Sequence, residues 1–172
     1  ISVYVPQSAV IEAISPAYRL FKTANDFLIA SGKKPKFEVE YVGLQKNVKA
    51  NDGEYTVKTD RLLDEVKETD LIFIPALYGN MKQAVGSNTK AIPWILQMHK
   101  KGTEVASLCI GAFLLAATGL VNGKKCSTHW AYCNEFRETY PDVEVVDGAV
   151  VTEEGRIYSS GGAHSLWSLL LY

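Results

Sequence analysis

A chain of 172 residues, 47% of them hydrophobic, is long enough to close one substantial core and too short for two comfortable domains, so one domain over residues 1–172 is expected. Eighteen Lys plus Arg against nineteen Asp plus Glu leave a net charge of -1, and the basic residues fall in pairs such as Lys33-Lys34 and Lys124-Lys125. Without a basic stripe to neutralise phosphates, this segment is not expected to grip DNA itself.

Three cysteines, Cys109, Cys126 and Cys133, are odd in number and form no CxxC pair, which fits neither a disulfide framework nor a zinc site. A reducing cytoplasm is the simplest home, and neither a metal nor a cofactor is called for. No stretch reaches the length of a membrane span, and the opening ISVYVPQSAV lacks the basic region and cleavage site of a secretory signal. The absent initiator Met and the apolar run Leu166–Tyr172, with no helix stop after it, read as a piece of a longer protein.

In chain order, apolar runs alternate with helical patterns, the signature of βα units around a mainly parallel sheet. Ile1–Val5 reads as a strand ended by Pro6. Apolar residues at helical spacing follow over Pro16–Ile29, with Ser15-Pro16 as the start. Phe37–Val42 is a second strand, and Val48–Lys58, broken by Asn51-Asp52-Gly53, a hairpin. Arg61–Glu68 reads as a short amphipathic helix. Leu71–Ile74, wholly apolar, belongs mid-sheet, and the loop after it lies where open α/β sheets bind ligands. Ala91–Lys101 is helical and stopped by Gly102. Glu104–Leu108 is a strand, and Gly111–Thr118 a helix with Gly119 as its C-cap. A helix over Ala131–Tyr140, short strands at Val143–Val146, Ala149–Val151 and Arg156–Ser159, and a last helix from about His164 complete the chain.

The sharpest local feature is Ser107-Leu108-Cys109-Ile110-Gly111, a nucleophile between small flanks where a strand turns into a helix. That is the sulfur version of a nucleophile elbow. Small flanks are needed because the chain bends so tightly that larger side chains would collide, leaving Cys109 in a strained backbone conformation. A helix start beneath the sulfur supplies free N–H groups and partial positive charge, which favours the thiolate.

Residues 107 to 130, Ser-Leu-Cys-Ile-Gly-Ala-Phe-Leu-Leu-Ala-Ala-Thr-Gly-Leu-Val-Asn-Gly-Lys-Lys-Cys-Ser-Thr-His-Trp, closely resemble a block of AraC-type transcriptional regulators. The N-terminal half of those regulators is a ThiJ/PfpI, or class I glutamine-amidotransferase-like, domain. The resemblance extends more weakly over the whole chain, including Ile11-Glu12-Ala13-Ile14-Ser15-Pro16. It implies a flavodoxin-like, three-layer α/β/α sandwich with a cysteine nucleophile elbow. By the same resemblance Cys109 matches the elbow cysteine, Glu12 the acid near it, and His129 the histidine of the Thr-His-Trp segment. These three are the expected pocket residues. A carboxyl beside the thiolate has to be protonated or bonded to the sulfur. His129 is either a base or a packed, hydrogen-bonded wall. His164, which departs from the family pattern, either lines the pocket or caps the last helix. Trp130 and Trp167 are expected to pack in the core or at an interface.

The resemblance implies a sensing and dimerising domain that takes an unknown small-molecule effector. DNA contact is expected only through a C-terminal helix-turn-helix module beyond residue 172, with no membrane partner. Protease and amidase members carry a histidine after the cysteine, where this chain has Ile110, and hydrolase relatives carry consecutive glycines where it reads Pro75-Ala76-Leu77-Tyr78-Gly79-Asn80. Both departures weigh against an enzyme. A thiol-dependent enzyme of the same fold, such as an isonitrile hydratase, amidase or glyoxalase-type catalyst, stays open, as does a redox sensor acting through Cys109.

Overall fold

Seven strands form the central sheet, and the computed structural model describes residues 1–162 and 165–172. The elements in chain order are β1 (Ser2–Val5), α1 (Ile11–Ala30), β2 (Glu40–Gly43), the hairpin β3 (Asn47–Ala50) and β4 (Tyr55–Lys58), β5 (Arg61–Leu62), β6 (Leu71–Ile74), α2 (Met81–Asn88), α3 (Ile92–Lys100), β7 (Glu104–Leu108), α4 (Ala112–Ala117), β8 (Lys125–Cys126), α5 (Cys133–Thr139), β9 (Glu144–Val145), β10 (Val151–Glu153), β11 (Ile157–Ser160) and α6 (Ser165–Leu171). The sheet order is β10-β11-β7-β6-β1-β2-β5, parallel throughout except for the antiparallel β10–β11 pair. β6 is central, as its unbroken apolar sequence requires of a strand covered on both faces.

Alternation along the strands divides the interior into two layers. Tyr4, Ile72, Ile74 and Val105 face one core, shared with Ile95, Met98, Phe113 and Leu114 of α3 and α4. Val3, Val5, Phe73, Ala106 and Leu108 face the other, with Ile14 and Ala17 of α1 and Leu166, Leu169 and Leu170 of α6. A period-two strand between two helical faces is a three-layer α/β/α arrangement. No helix among the described residues is long and apolar enough to cross a membrane.

Several local readings are corrected. Helix α1 begins at Ile11, a turn before Ser15-Pro16, and holds Pro16 inside it. Its first amide is capped from a distance, because Ile11 N–H donates to Asn51 Oδ1 at 3.0 Å. The second strand starts at Glu40, not Phe37. The amides of Lys36 and Phe37 donate to Asn25 Oδ1 and the Phe37 carbonyl accepts from Asn25 Nδ2, so a helix side chain occupies the groups a strand ladder would use. Arg61–Glu68 is not a helix: Arg61 and Leu62 join the sheet edge, where Arg61 forms a two-pronged ion pair with Glu40, and a single tight turn, Leu63–Glu65, follows. Strand β8 and the helix α2, capped by Asn80, gave no clear signal in sequence; β8 pairs in parallel with β9, which lies within the expected strand Val143–Val146. His164 lies outside the described residues.

Candidate functional site

Strand β7 ends on buried Leu108, and the next residue, Cys109, has φ +58°, a left-handed backbone that costs a non-glycine residue about 1–2 kcal/mol. A tight turn, Cys109–Gly111, then opens α4. Space enforces the bend. A Cβ placed on Gly111 would lie 2.5 Å from the carbonyl oxygens of both Ile74 and Pro75, so the backbone after β6 occupies the volume a side chain would need. The carbonyl of Cys109 accepts a hydrogen bond from Thr128 Oγ1 at 3.4 Å, which brings the segment before His129 against the turn.

The Cys109 thiol is half-buried. Burial pushes its pKa up, and a hydrogen bond from the Ile110 amide pulls it part-way back, leaving it above the ordinary thiol value. The expectation of a favoured thiolate is therefore reversed: desolvation of the charged form outweighs the amide donor.

Glu12 stands exposed in the first turn of α1, and both its carboxylate oxygens accept from Asn51 Nδ2, at 3.2 and 3.1 Å. Asn51 thus joins the cap of α1 and the acid in one contact, from a turn 39 residues away. His129 is half-buried and caps the turn Trp130–Tyr132. Its Nδ1 accepts from the Ala131 amide at 3.2 Å, so the neutral ring carries its proton on Nε2. The imidazole lies 5.5 Å from the Trp130 ring and 6.0 Å from that of Tyr132, centroid to centroid. Thr128 and Cys109 are brought together; the carboxylate of Glu12 and the Nδ1 of His129 each have a partner of their own.

Two features here escaped the sequence. Ser159 on β11 accepts from the Ser127 amide at 2.7 Å and shares hydroxyl contacts with Ser127 and Thr152, pinning the strand that leads to Thr128 and His129. Beside it opens a cleft of ≈ 580 Å³, with Thr128, His129, Trp130, Cys133, Arg137 and Asp147 among its walls. Arg137 pairs with Asp147, and its guanidinium, followed by the Cys133 thiol, holds the Asp147 carboxyl below the usual range. The usable signal was the i, i+4 spacing of Cys133 and Arg137 on one helix face. Trp130, at 80% exposure, is no core residue. Among the described residues no three His, Cys, Asp or Glu side chains converge to hold a metal ion.

Beyond β6, Gly79 has φ +84°, and the Tyr78 amide is already donated to the Ser8 carbonyl at 2.8 Å. That N–H is therefore not a free donor for a developing oxyanion.

The family model described as "DJ-1/PfpI family" matches residues 3–171. The chain belongs to the DJ-1/PfpI family. Among its relatives, the HTH-type transcriptional regulator CdhR of Pseudomonas aeruginosa is 27% identical over 111 residues, which is 64% of this chain and 32% of that protein. The chain thus spans about a third of the length of that regulator. Deglycase PfpI of Pyrococcus furiosus is 28% identical over 145 residues, 83% of this chain and 78% of that one. In three dimensions, a putative transcriptional regulator from Vibrio parahaemolyticus superposes with a TM-score of 0.84 at 20% identity, covering 99% of this chain and 87% of that one. A DJ-1/PfpI domain thus occurs both in regulators and in enzymes, and the fold does not choose between them.

Proposed function

We propose that this DJ-1/PfpI chain is the effector-sensing and dimerising domain of an AraC-type transcriptional regulator working in the cytoplasm. A small molecule enters the pocket rimmed by Cys109, Glu12 and His129 and biases a C-terminal helix-turn-helix module that carries the DNA contacts. In this reading the turn at Cys109 is a nucleophile elbow that keeps its shape and has given up its chemistry. One arrangement carries the reading: the thiol is half-buried, which raises its pKa, while Glu12 is bonded to Asn51 and His129 Nδ1 to a backbone amide. A thiol nucleophile needs a proton acceptor or a depressed pKa, and those bonds favour neither. The regulator match and the near-neutral charge of the chain point the same way, since a sensing half need not bind phosphates.

The deglycase match keeps a second reading in play, in which Cys109 attacks a carbonyl-type carbon and His129 or Glu12 carries the proton. One assay separates the two: turnover of methylglyoxal, simple amides and isonitriles by the wild type and by Cys109→Ser. The sensing reading expects no turnover that depends on Cys109, and a Cys109-dependent rate overturns it. The reading frame past Tyr172 is expected to hold two helix-turn-helix motifs and a basic balance within roughly a hundred residues.

A further inference from the structure

The cleft of ≈ 580 Å³ is walled in part by His129, whose ring holds a turn through an acceptor that it can lose. Neutral His129 lends Nδ1 to the Ala131 amide at the start of the turn Trp130–Tyr132. The turn is also closed by the Tyr132 amide, which donates to the His129 carbonyl at 2.8 Å. An imidazolium has two N–H donors and no acceptor, so protonation removes the first bond and leaves the second.

What a charged ring meets there is aromatic. Trp130 is 80% exposed, and its ring lies 5.5 Å from the imidazole at an interplanar angle of 32°. A cation within about 6 Å of a tryptophan face is drawn to it by the ring quadrupole. Tyr132 stands edge-on at 6.0 Å, and among the described residues His129 forms no ion pair. The other titratable groups around it keep their charge between about pH 5 and 8, the interval in which a histidine ordinarily changes its own. Arg137 stays a cation and holds the Asp147 carboxyl low. Burial holds two thiols high: Cys133 on α5, which donates to the His129 carbonyl at 3.7 Å, and Cys109 on the turn that Thr128 touches.

We propose that His129 is a pH-sensitive switch that sets the position of Trp130 in the cleft wall. Above its titration the neutral ring caps the turn, and Trp130 stands where the turn puts it. Below, the Ala131 amide is released, and the imidazolium and the Trp130 ring close on each other. Each state gives the same imidazole its own partner, a backbone amide in one and an aromatic face in the other, which separates a switch from a gradual loosening. The device needs neither a reactive thiol at Cys109 nor a bound effector, so it holds or fails apart from the sensing reading.

The test follows the full-length protein by NMR from about pH 8 to about pH 5. The resonances are the imidazole ¹³Cε1–¹H of His129, the backbone amide of Ala131 and the indole ¹⁵N–¹H of Trp130, with that of His164 assigned by its loss in His164→Asn. All are expected to shift with one midpoint, the Ala131 amide moving upfield as its hydrogen bond is lost. In His129→Asn, whose side chain accepts at such a cap without titrating, the Ala131 and Trp130 resonances are expected to stay fixed. In Trp130→Leu the His129 midpoint is expected to fall by about half a pH unit, the size of an exposed cation–π contact. The proposal is overturned by an imidazole that titrates while Ala131 and Trp130 stay still, or that stays neutral throughout. So it is by a pH response undiminished in His129→Asn, or a midpoint unmoved in Trp130→Leu. If His129→Asn fails to fold, Trp130→Leu, at an exposed position, still decides the matter.

Discussion

Two strand-to-helix turns at the carboxyl ends of parallel strands each put a non-glycine residue in the left-handed region: Ser8 after β1, with φ +62°, and Cys109 after β7, with φ +58°. They are held in opposite ways. The Cys109 turn is fixed by space, because Gly111 leaves room for the backbone of Ile74 and Pro75. The Ser8 turn is fixed by side chains from far along the chain. Asn88 Oδ1 accepts from Tyr4 OH at 2.7 Å and the Gln7 amide at 2.8 Å, while Asn88 Nδ2 donates to the Gln7 and Ala84 carbonyls. One turn is specified by steric crowding between Gly111 and the backbone at the end of β6; the other, by hydrogen bonds spanning more than eighty residues.

The comparison breaks most severely at Gly111. Its φ is an ordinary -59°, so alanine has no backbone objection, and any loss in Gly111→Ala reports crowding alone. With a Cβ 2.5 Å from two carbonyl oxygens at the end of the central strand, the variant is expected to lose about 3 kcal/mol, a Tm fall of roughly 6–12 °C by thermal denaturation. A shift below 2 °C would mean that the β6 end yields easily and that the bend at Cys109 is not set by space.

The second break is at Asn88, buried and satisfied on all sides by four hydrogen bonds. Asn88→Ala strands the Tyr4 hydroxyl and the Gln7 amide without their acceptor, for an expected loss of about 2 kcal/mol in urea denaturation. Adding Tyr4→Phe removes one orphaned group, so the double variant is expected to lose less than the sum of the singles. Strict additivity would show that Tyr4 and Asn88 are not coupled.

The same contrast explains what could be read beforehand. The layered fold, the central place of Leu71–Ile74, the hairpin around Asn51-Asp52-Gly53 and the turn at Cys109 rest on periodicity or on neighbours in sequence, and all are visible in the residues themselves. What was hidden depends on amides of distant asparagines. Asn51 moves the start of α1 a turn upstream and takes the carboxylate of Glu12, and Asn25 takes the backbone groups that Phe37 would otherwise give to a strand. A side chain that imitates backbone hydrogen bonding leaves no period behind it, so the identity of Glu12 was legible and its partner was not. The thiol of Cys109 tells a similar story, since the motif announces a helix start while the burial that raises its pKa comes from the assembled tertiary structure.

The smallest effect is the one that sharpens the comparison. Ser8 is exposed, and the hydrogen bond it makes to Tyr78 uses its backbone carbonyl, which a glycine keeps. Ser8→Gly removes the left-handed penalty of about 1 kcal/mol and adds back part of it as unfolded-state freedom, about 0.4–1 kcal/mol. The net is an expected stabilisation of at most about 0.5 kcal/mol, read as a shift in urea midpoint at constant slope. In an Asn88→Ala background the gain is expected to shrink, because a loop released from Asn88 relaxes its own backbone and no longer holds Ser8 at φ +62°. An undiminished gain there would show that the strain at Ser8 is local after all, and would erase the distinction between the two turns.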